Sequence, residues 1–185
     1  MEGFDATLAR IDSLCKRSNL DYIVIGGVAV MYYESARQTT DIDLSVDTEI
    51  GEFNKVVNIF TSNGFRAVKE NPLVFFERYF VLPLIDDVNG IKVDVAAGVG
   101  GFEKLSISRG KRVTFGNAEF NIATPEDMLI FKLFAARERD IADVKYLIRR
   151  FRKQLSIPYL KSTAKKFQEL ERGDILENLN RFLGE

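Results

Sequence analysis

The fold is decided by the stretch Arg37-Gln38-Thr39-Thr40-Asp41-Ile42-Asp43-Leu44-Ser45-Val46-Asp47. From Asp41 onward, polar and apolar residues alternate, which predicts a β-strand with one polar and one apolar face. Asp41 and Asp43 then project from the same face, roughly 6–7 Å apart at ~3.3 Å per residue. Carboxylates this close repel each other, and a divalent cation, which prefers oxygen ligands, reverses that cost. For an Asp-x-Asp motif alone, a solvated strand face near a turn is the simpler interpretation.

A third carboxylate, Asp94, lies on another predicted strand, residues 91–97, whose residues alternate in the same way. Its neighbours Val93 and Val95 indicate a central strand, where an unpaired charge is costly unless something compensates it. If this strand lies beside the one that carries Asp41, three carboxylates converge. Such a cluster is typical of a metal site.

The dipeptide Gly26-Gly27 lies between a short predicted strand, 21–25, and a predicted helix, 28–35. Glycine lets the backbone approach a ligand, and free N–H groups at a helix start point toward anions. The dipeptide therefore fits a phosphate cradle, although a tight turn is its commoner meaning. Since one helix separates it from the Asp-x-Asp strand, we expect both at the same edge of a sheet.

Composition excludes several classes of function. The chain has 185 residues, 46% of them apolar, which predicts one domain, or a domain with a helical extension, around a sizeable core. It contains no histidine, which excludes Ser-His-Asp triads and histidine-ligated zinc. The only cysteine, Cys15, excludes an intrachain disulfide and fits a reducing cytosol. No secretion signal or membrane-spanning run is recognisable, so we expect a cytoplasmic protein without a membrane partner.

The first part of the chain mixes helix and strand signals. Helices are predicted over 4–18 and 48–63, a strand over 65–69, and an apolar extended segment over 73–80 that continues irregularly to 88. Asn89-Gly90 predicts a two-residue hairpin turn that pairs Asp87 with Lys92. Gly116-Asn117 predicts a second hairpin turn.

The pattern changes near residue 123. Thr124-Pro125-Glu126-Asp127 predicts a helix start, with a threonine cap, proline at the first helical position and two acids in the first turn. From there onward the chain carries little but helix signals. We therefore predict an α+β fold, with a small mixed β-sheet core flanked by helices over 1–122 and a helical C-terminal segment over 123–185.

With these residues assembled, the chain resembles the DNA polymerase β-like nucleotidyltransferase superfamily. Its pattern is a Gly-Gly or Gly-Ser turn, an Asp-x-Asp or Asp-x-Glu strand and a third acid on a later strand. Within it, Ile25-Gly26-Gly27-Val28-Ala29 followed by Arg37-x-Thr39-x-Asp41-x-Asp43 is similar to the AbiEii-type group, known from toxin–antitoxin and phage-abortive systems. The stretch from Thr124 to Asp143 also matches that group, so the resemblance covers roughly residues 20 to 150.

The resemblance implies transfer of a nucleoside monophosphate from a nucleotide triphosphate to a hydroxyl acceptor. Two Mg²⁺ ions would be held by Asp41, Asp43 and Asp94, and Asp94 would help to deprotonate the acceptor. Gly26 and Gly27 would hold phosphates, while Lys132 would neutralise the leaving pyrophosphate. Many members carry serine at the second glycine position, so any phosphate contact of Gly27 involves the backbone alone.

Several residues have two interpretations. Arg37 and Thr39 either position phosphates or a hydroxyl, or cap the loop before the strand. Lys132 either contacts the triphosphate, as the resemblance implies, or extends from its helix to solvent. Asp140 and Asp143 either form salt bridges with Arg137 and Arg139, which we favour, or hold a second metal.

The segment 144–168 is basic, with eight lysines and arginines and no acid, so the rest of the chain carries a net charge of −9 against a total of −1. Its basic residues are Lys145, Arg149, Arg150, Arg152, Lys153, Lys161, Lys165 and Lys166. Part of this charge is a solvated helix face, but the lack of acids suggests contact with a polyanion, and we expect an RNA acceptor. The alternative function is a non-catalytic nucleotide-binding or regulatory module that acts through a protein partner, such as an antitoxin.

Overall fold

The computed structural model describes residues 2–33, 38–97 and 101–184, so the predicted site residue Arg37 lies outside the described residues. The helices are α1 (Glu2–Arg17), α2 (Gly26–Tyr32), α3 (Phe53–Thr61), α4 (Pro72–Tyr79), α5 (Phe102–Arg109), α6 (Pro125–Ala135), α7 (Glu138–Phe151), α8 (Ile157–Lys166) and α9 (Asp174–Leu183). The strands are β1 (Tyr22–Ile25), β2 (Asp41–Val46), β3 (Phe65–Ala67), β4 (Val81–Asp86), β5 (Lys92–Ala96), β6 (Lys111–Phe115) and β7 (Ala118–Ile122).

The strands form one mixed sheet in the order β3-β4-β5-β2-β1-β7-β6. β2 pairs with β5, and β1 with β7, in parallel, whereas the other neighbours are antiparallel. The predicted α+β class with a mixed sheet is therefore confirmed. Within the described residues, no helix combines the length and the apolar character needed to cross a bilayer.

The alternation in β2 has the structural consequence that its sequence predicts. Ile42 and Leu44 are fully buried in the hydrophobic core, whereas Asp41 and Asp43 are half-buried. Successive residues of a strand point to opposite faces, so the burial of one set leaves the other set partly accessible. Helix α1 contributes Ile11 to the same core.

Strand β7 leads directly into the helical segment. Val24 of β1 pairs with Ile122, and the N–H of Ala123 donates to the carbonyl of Val24 at 3.0 Å. Thr124 then caps α6, since its Oγ1 accepts a hydrogen bond from the N–H of Asp127 at 3.2 Å. The first turn of α6 consequently follows the strand beside β1, while the domain boundary near residue 123 stays a prediction.

One segment has a different secondary structure from the one predicted. The apolar residues 73–80 are not extended but lie mostly in α4, where Pro72 occupies the first helical turn. The helix stacks Phe76 on Phe53 of α3, with ring centroids 3.3 Å apart, and both rings are buried. Tertiary burial of Phe76 therefore outweighs the local preference of an apolar run for strand.

The hairpin at Asn89-Gly90 is wider than predicted. The N–H of Asp86 donates to the carbonyl of Ile91 at 2.9 Å, so Lys92 pairs with Ile85 and not with Asp87. The Asp86 carboxylate accepts hydrogen bonds from within the turn, including the side chain of Asn89 at 2.9 Å, which stabilises the longer loop. The second predicted hairpin does turn at Gly116-Asn117.

Candidate functional site

Three carboxylates meet where β2 and β5 pair. The two strands are parallel and in register, with Asp43 directly opposite Asp94. Asp41, two residues before Asp43, shares its face of β2. Carboxylate oxygens of Asp41, Asp43 and Asp94 all lie within 4.8 Å of one another, and all three residues are half-buried. The alternation within β2 and the register between β2 and β5 thus bring together the three acids that were predicted from the sequence.

The electrostatics of this acidic cluster favour a bound cation. Burial, and after it the charge of Asp41, raises the pKa of Asp43, although the Gly27 N–H and the charges of Lys132 and Arg137 oppose the shift. Burial, followed by the charges of Asp43 and Asp41, also raises the pKa of Asp94. Carboxylates that resist ionising together are stabilised by a divalent ion, and a donor set made of oxygen suits a hard cation.

Thr39 and the two glycines hold the carboxylates in place. Thr39 Oγ1 donates to Asp41 Oδ1 at 2.5 Å, and the N–H of Gly27 donates to Asp43 Oδ2 at 3.3 Å. A Cβ on Gly27 would lie 2.6 Å from Thr39 Oγ1, too close for any side chain. Gly26 and Gly27 begin α2 itself, so the diglycine is its first turn and packs against the acids.

Lys132 is buried in an ion-pair cluster, with its side chain 8% exposed. Its Nζ lies 2.7 Å from Asp140 Oδ1 and 2.8 Å from Asp143 Oδ2. The alternative interpretation, in which Lys132 extends from its helix to solvent, is therefore wrong, and the contact with the triphosphate stays a prediction. The two aspartates take Lys132 of α6 as a partner, where the sequence suggested Arg137 and Arg139, because α6 packs against α7.

Arg137 is a candidate that sequence reasoning missed. It lies at the start of α7, and its side chain is exposed. Its charge opposes the rise in the pKa of both Asp43 and Asp94, which places an exposed cation near the acidic cluster. Arg137 could have been identified in the sequence by its position, five residues after Lys132 and just before a helix.

The basic residues of segment 144–168 are largely at the surface. Lys145, Arg149 and Lys153 are exposed, and Arg152 Nη2 lies 3.5 Å from the carbonyl of Leu183, against α9. These cations belong to α7, α8 and the turn between them, elements separate from the strands that carry the acids. Contact with RNA stays a prediction.

Comparison with known proteins points to one family. A family model described as "Nucleotidyltransferase of unknown function" (DUF6036) matches residues 4–180. No curated protein sequence matches the chain.

Solved structures share the fold at low identity. The antibiotic-resistance factor ANT(2'')-Ia in solution has a TM-score of 0.58 at 14% identity, with 91% of this chain and 97% of that chain covered. Its crystal structure with adenylyl-2''-tobramycin has a TM-score of 0.53 at 12% identity, with 88% and 95% covered. An antigenic nucleotidyltransferase-like protein from Paracoccidioides brasiliensis has a TM-score of 0.51 at 16% identity, with 95% and 93% covered.

Proposed function

The chain belongs to the nucleotidyltransferase family DUF6036, and from this premise we propose that it transfers a nucleoside monophosphate from a nucleoside triphosphate to a hydroxyl group. The observation that carries the proposal is the cluster of Asp41, Asp43 and Asp94 across two paired strands. The three residues supply the oxygen ligands that Mg²⁺ prefers, and we propose two Mg²⁺ ions when nucleotide is bound. Bound Mg²⁺ would supply charge stabilisation for the attacking and leaving oxygens of an in-line displacement.

We propose separate roles in the reaction for the protein groups around the acidic cluster. Asp94 is the acid of the cluster that borders β4, so it is the candidate to accept the proton of the acceptor hydroxyl. The backbone of Gly26 and Gly27 would lie against the phosphates, although the Gly27 N–H also donates to Asp43 Oδ2, and Thr39 orients Asp41. Arg137 is an exposed cation near the acidic cluster and is available to the triphosphate.

Lys132 acts from a fixed position. Asp140 and Asp143 hold its ammonium group in the interior, and its charge favours the ionised form of Asp43. We propose that it neutralises the leaving pyrophosphate from there, while the aspartates prevent it from reaching solvent. Arg37, outside the described residues, remains a proposed phosphate contact.

Different observations support a small-molecule acceptor and an RNA acceptor. ANT(2'')-Ia, with which the chain shares a fold, has been crystallised with adenylyl-2''-tobramycin, a modified small molecule. An RNA acceptor is supported here by the exposed basic residues of segment 144–168 alone. A toxin role with an antitoxin partner rests on the likeness to the AbiEii-type group, and a cytoplasmic location rests on composition.

A radiolabelled transfer screen tests the proposal. The four α-labelled nucleoside triphosphates are offered with Mg²⁺ and with total RNA, protein and small-molecule fractions. We expect label in one fraction, lost in Asp43→Asn and retained in Asp47→Asn, a matched change just beyond the same strand. Nucleotide binding without transfer to any fraction would favour the non-catalytic regulatory module instead.

A further inference from the structure

The face of the sheet that carries the acids continues past Asp94 onto β4 and β3. Pro83 of β4 is directly opposite Asp94, and the N–H of Val68, just after β3, donates to the carbonyl of Pro83 at 3.0 Å. Directly opposite residues of paired strands point to the same face. A row of side chains from Asp43 through Asp94 and Pro83 to Val68 therefore crosses one face of the sheet.

The residues around this row are apolar and partly accessible. Val81 is opposite Ala96, and Ile85 is opposite Lys92, so Val81 and Ile85 share the face of Pro83. Both are half-buried and, among the described residues, neither belongs to the hydrophobic core, whereas the alternating Leu82 and Leu84 are fully buried in it. We call the five residues Val68, Val81, Pro83, Ile85 and Ala96 the β4 floor.

The β4 floor begins next to the acid proposed to activate the acceptor. Neighbouring strands lie about 4.8 Å apart, so Pro83 is about 5 Å and Val68 about 10 Å from the position of Asp94 across the sheet. A molecule that places a hydroxyl at Asp94 and extends away from Asp43 must rest on these side chains. Val68, with 44% of its surface exposed, has room to pack against a bound molecule.

Charge at the floor argues against a polycationic acceptor. Lys92 and Arg66 lie on either side of Ile85, on the neighbouring strands, and Arg66 Nε pairs with Asp87 at 3.3 Å. The two cations that flank Ile85, Lys92 and Arg66, disfavour an amine-rich substrate on the β4 floor, because like charges repel.

Resting on the proposed transfer reaction, we propose that the β4 floor is the acceptor subsite and that the acceptor is an uncharged alcohol with an apolar or aromatic body. RNA and amine-rich sugars then fall outside the preferred class.

Binding of a neutral fluorescent alcohol, 2-(1-naphthyl)ethanol, tests this subsite without knowledge of the natural acceptor. Fluorescence titration is done on the full chain with Mg²⁺ and a non-hydrolysable triphosphate. We expect the Val68→Gln/Ile85→Gln variant to bind the probe about tenfold more weakly, because two apolar side chains no longer pack against the naphthyl ring. Val88→Gln is the matched control, since Val88 is 72% exposed and lies beyond the end of β4. Val68→Gln alone, at an exposed side chain, serves if the double variant unfolds.

Nucleotide affinity, measured separately, distinguishes the two proposals. Two results overturn the subsite and leave nucleotidyl transfer standing, provided that nucleotide binding is normal. One is a probe affinity that the floor variants do not change, and the other is no binding of the probe at all. Displacement of the probe by tobramycin, or labelling of RNA in preference to the naphthyl alcohol, also overturns it. Absence of nucleotide binding overturns both proposals. Label transferred to the naphthyl alcohol by the wild type, and reduced in the floor variants, supports both.

Discussion

Gly26 has no side chain at a point where a Cβ atom would overlap the carboxylate of Asp43. Its φ angle is +66°, in the left-handed region that favours glycine. The turn from β1 into α2 therefore gives Asp43 its space, and the neighbouring N–H of Gly27 gives it a hydrogen bond. The diglycine serves the candidate metal ligands directly, in addition to any contact with phosphate.

Gly26→Ala is expected to impair metal-dependent nucleotide binding. The variant combines a strained φ angle, which costs about 1 kcal/mol, with displacement of Asp43. Gly90→Ala is the matched control, because Gly90 has a φ of +69° and open space where the Cβ would lie. Calorimetric titration should show nucleotide affinity lost only in Gly26→Ala. Equal affinity in the two variants would mean that Gly26 does not position Asp43.

Lys132→Met is expected to lower the free energy of unfolding by about 3–5 kcal/mol, because it leaves Asp140 and Asp143 buried without their shared ammonium group. Urea denaturation measures the loss. Adding Asp140→Asn to Lys132→Met should restore part of it, since one of the two buried carboxylate charges is removed. Lys145→Met, at an exposed lysine on α7, controls for loss of a positive charge. A loss below about 1 kcal/mol in Lys132→Met would contradict a structural ion cluster.

Asp12 makes the stability of the fold sensitive to acid. Burial by itself raises the pKa of Asp12, but hydrogen bonds from Arg112, Tyr22 and Lys16 outweigh it and lower the pKa to about 2. Because the ordinary value is about 3.9, ionised Asp12 contributes about 2 kcal/mol above that pH, and this contribution is lost as the pH falls through about 2.

The measurement for Asp12 is urea denaturation of the wild type and Asp12→Asn from about pH 6 down to about pH 3. The stability difference between the two proteins should shrink as the pH falls. A difference that stays constant over this range would show that the carboxylate charge contributes nothing.

The RNA contact predicted from the sequence is the alternative to an uncharged alcohol acceptor, and it has its own test. Replacing Arg149, Arg150, Arg152 and Lys153 with glutamine should weaken RNA binding and flatten its salt dependence by about 0.7 in log–log slope for each phosphate that is no longer neutralised. A set of four exposed cations elsewhere, Arg17, Lys55, Arg78 and Lys104, changed to glutamine in the same way, controls for total charge. If both variants bind RNA with the slope of the wild type, the basic segment is not an RNA platform.

Strand periodicity was sufficient to predict the acidic face of the sheet. The alternation around Asp41 and Asp43 fixes which side chains share a face, and the same rule applies to Asp94. The pairing of β2 with β5 depends on topology, which the resemblance supplied and local pattern does not contain. The alternation within each strand therefore predicted the cluster of Asp41, Asp43 and Asp94, on the condition that β2 and β5 are neighbours.

Other features depend on contacts between distant elements. The apolar run around Phe76 favours a strand locally, and its helix is decided by stacking on Phe53. Lys132 forms ion pairs with Asp140 and Asp143 because Ala136, with a φ of +50°, turns the chain so that α7 runs back along α6. Sequence spacing suggested partners on the same helix and could not reveal this crossing.

The number of bound metal ions shows whether the acidic cluster is a metal site. Titration with Mn²⁺ in the presence of a non-hydrolysable triphosphate, followed by electron paramagnetic resonance, counts bound ions without requiring an acceptor. We expect about two ions for each wild-type chain and for Asp47→Asn, and loss of ion and nucleotide binding together in Asp43→Asn. Wild-type stoichiometry in Asp43→Asn, or the same count in the absence of nucleotide as in its presence, would contradict a nucleotide-linked metal site at Asp41, Asp43 and Asp94.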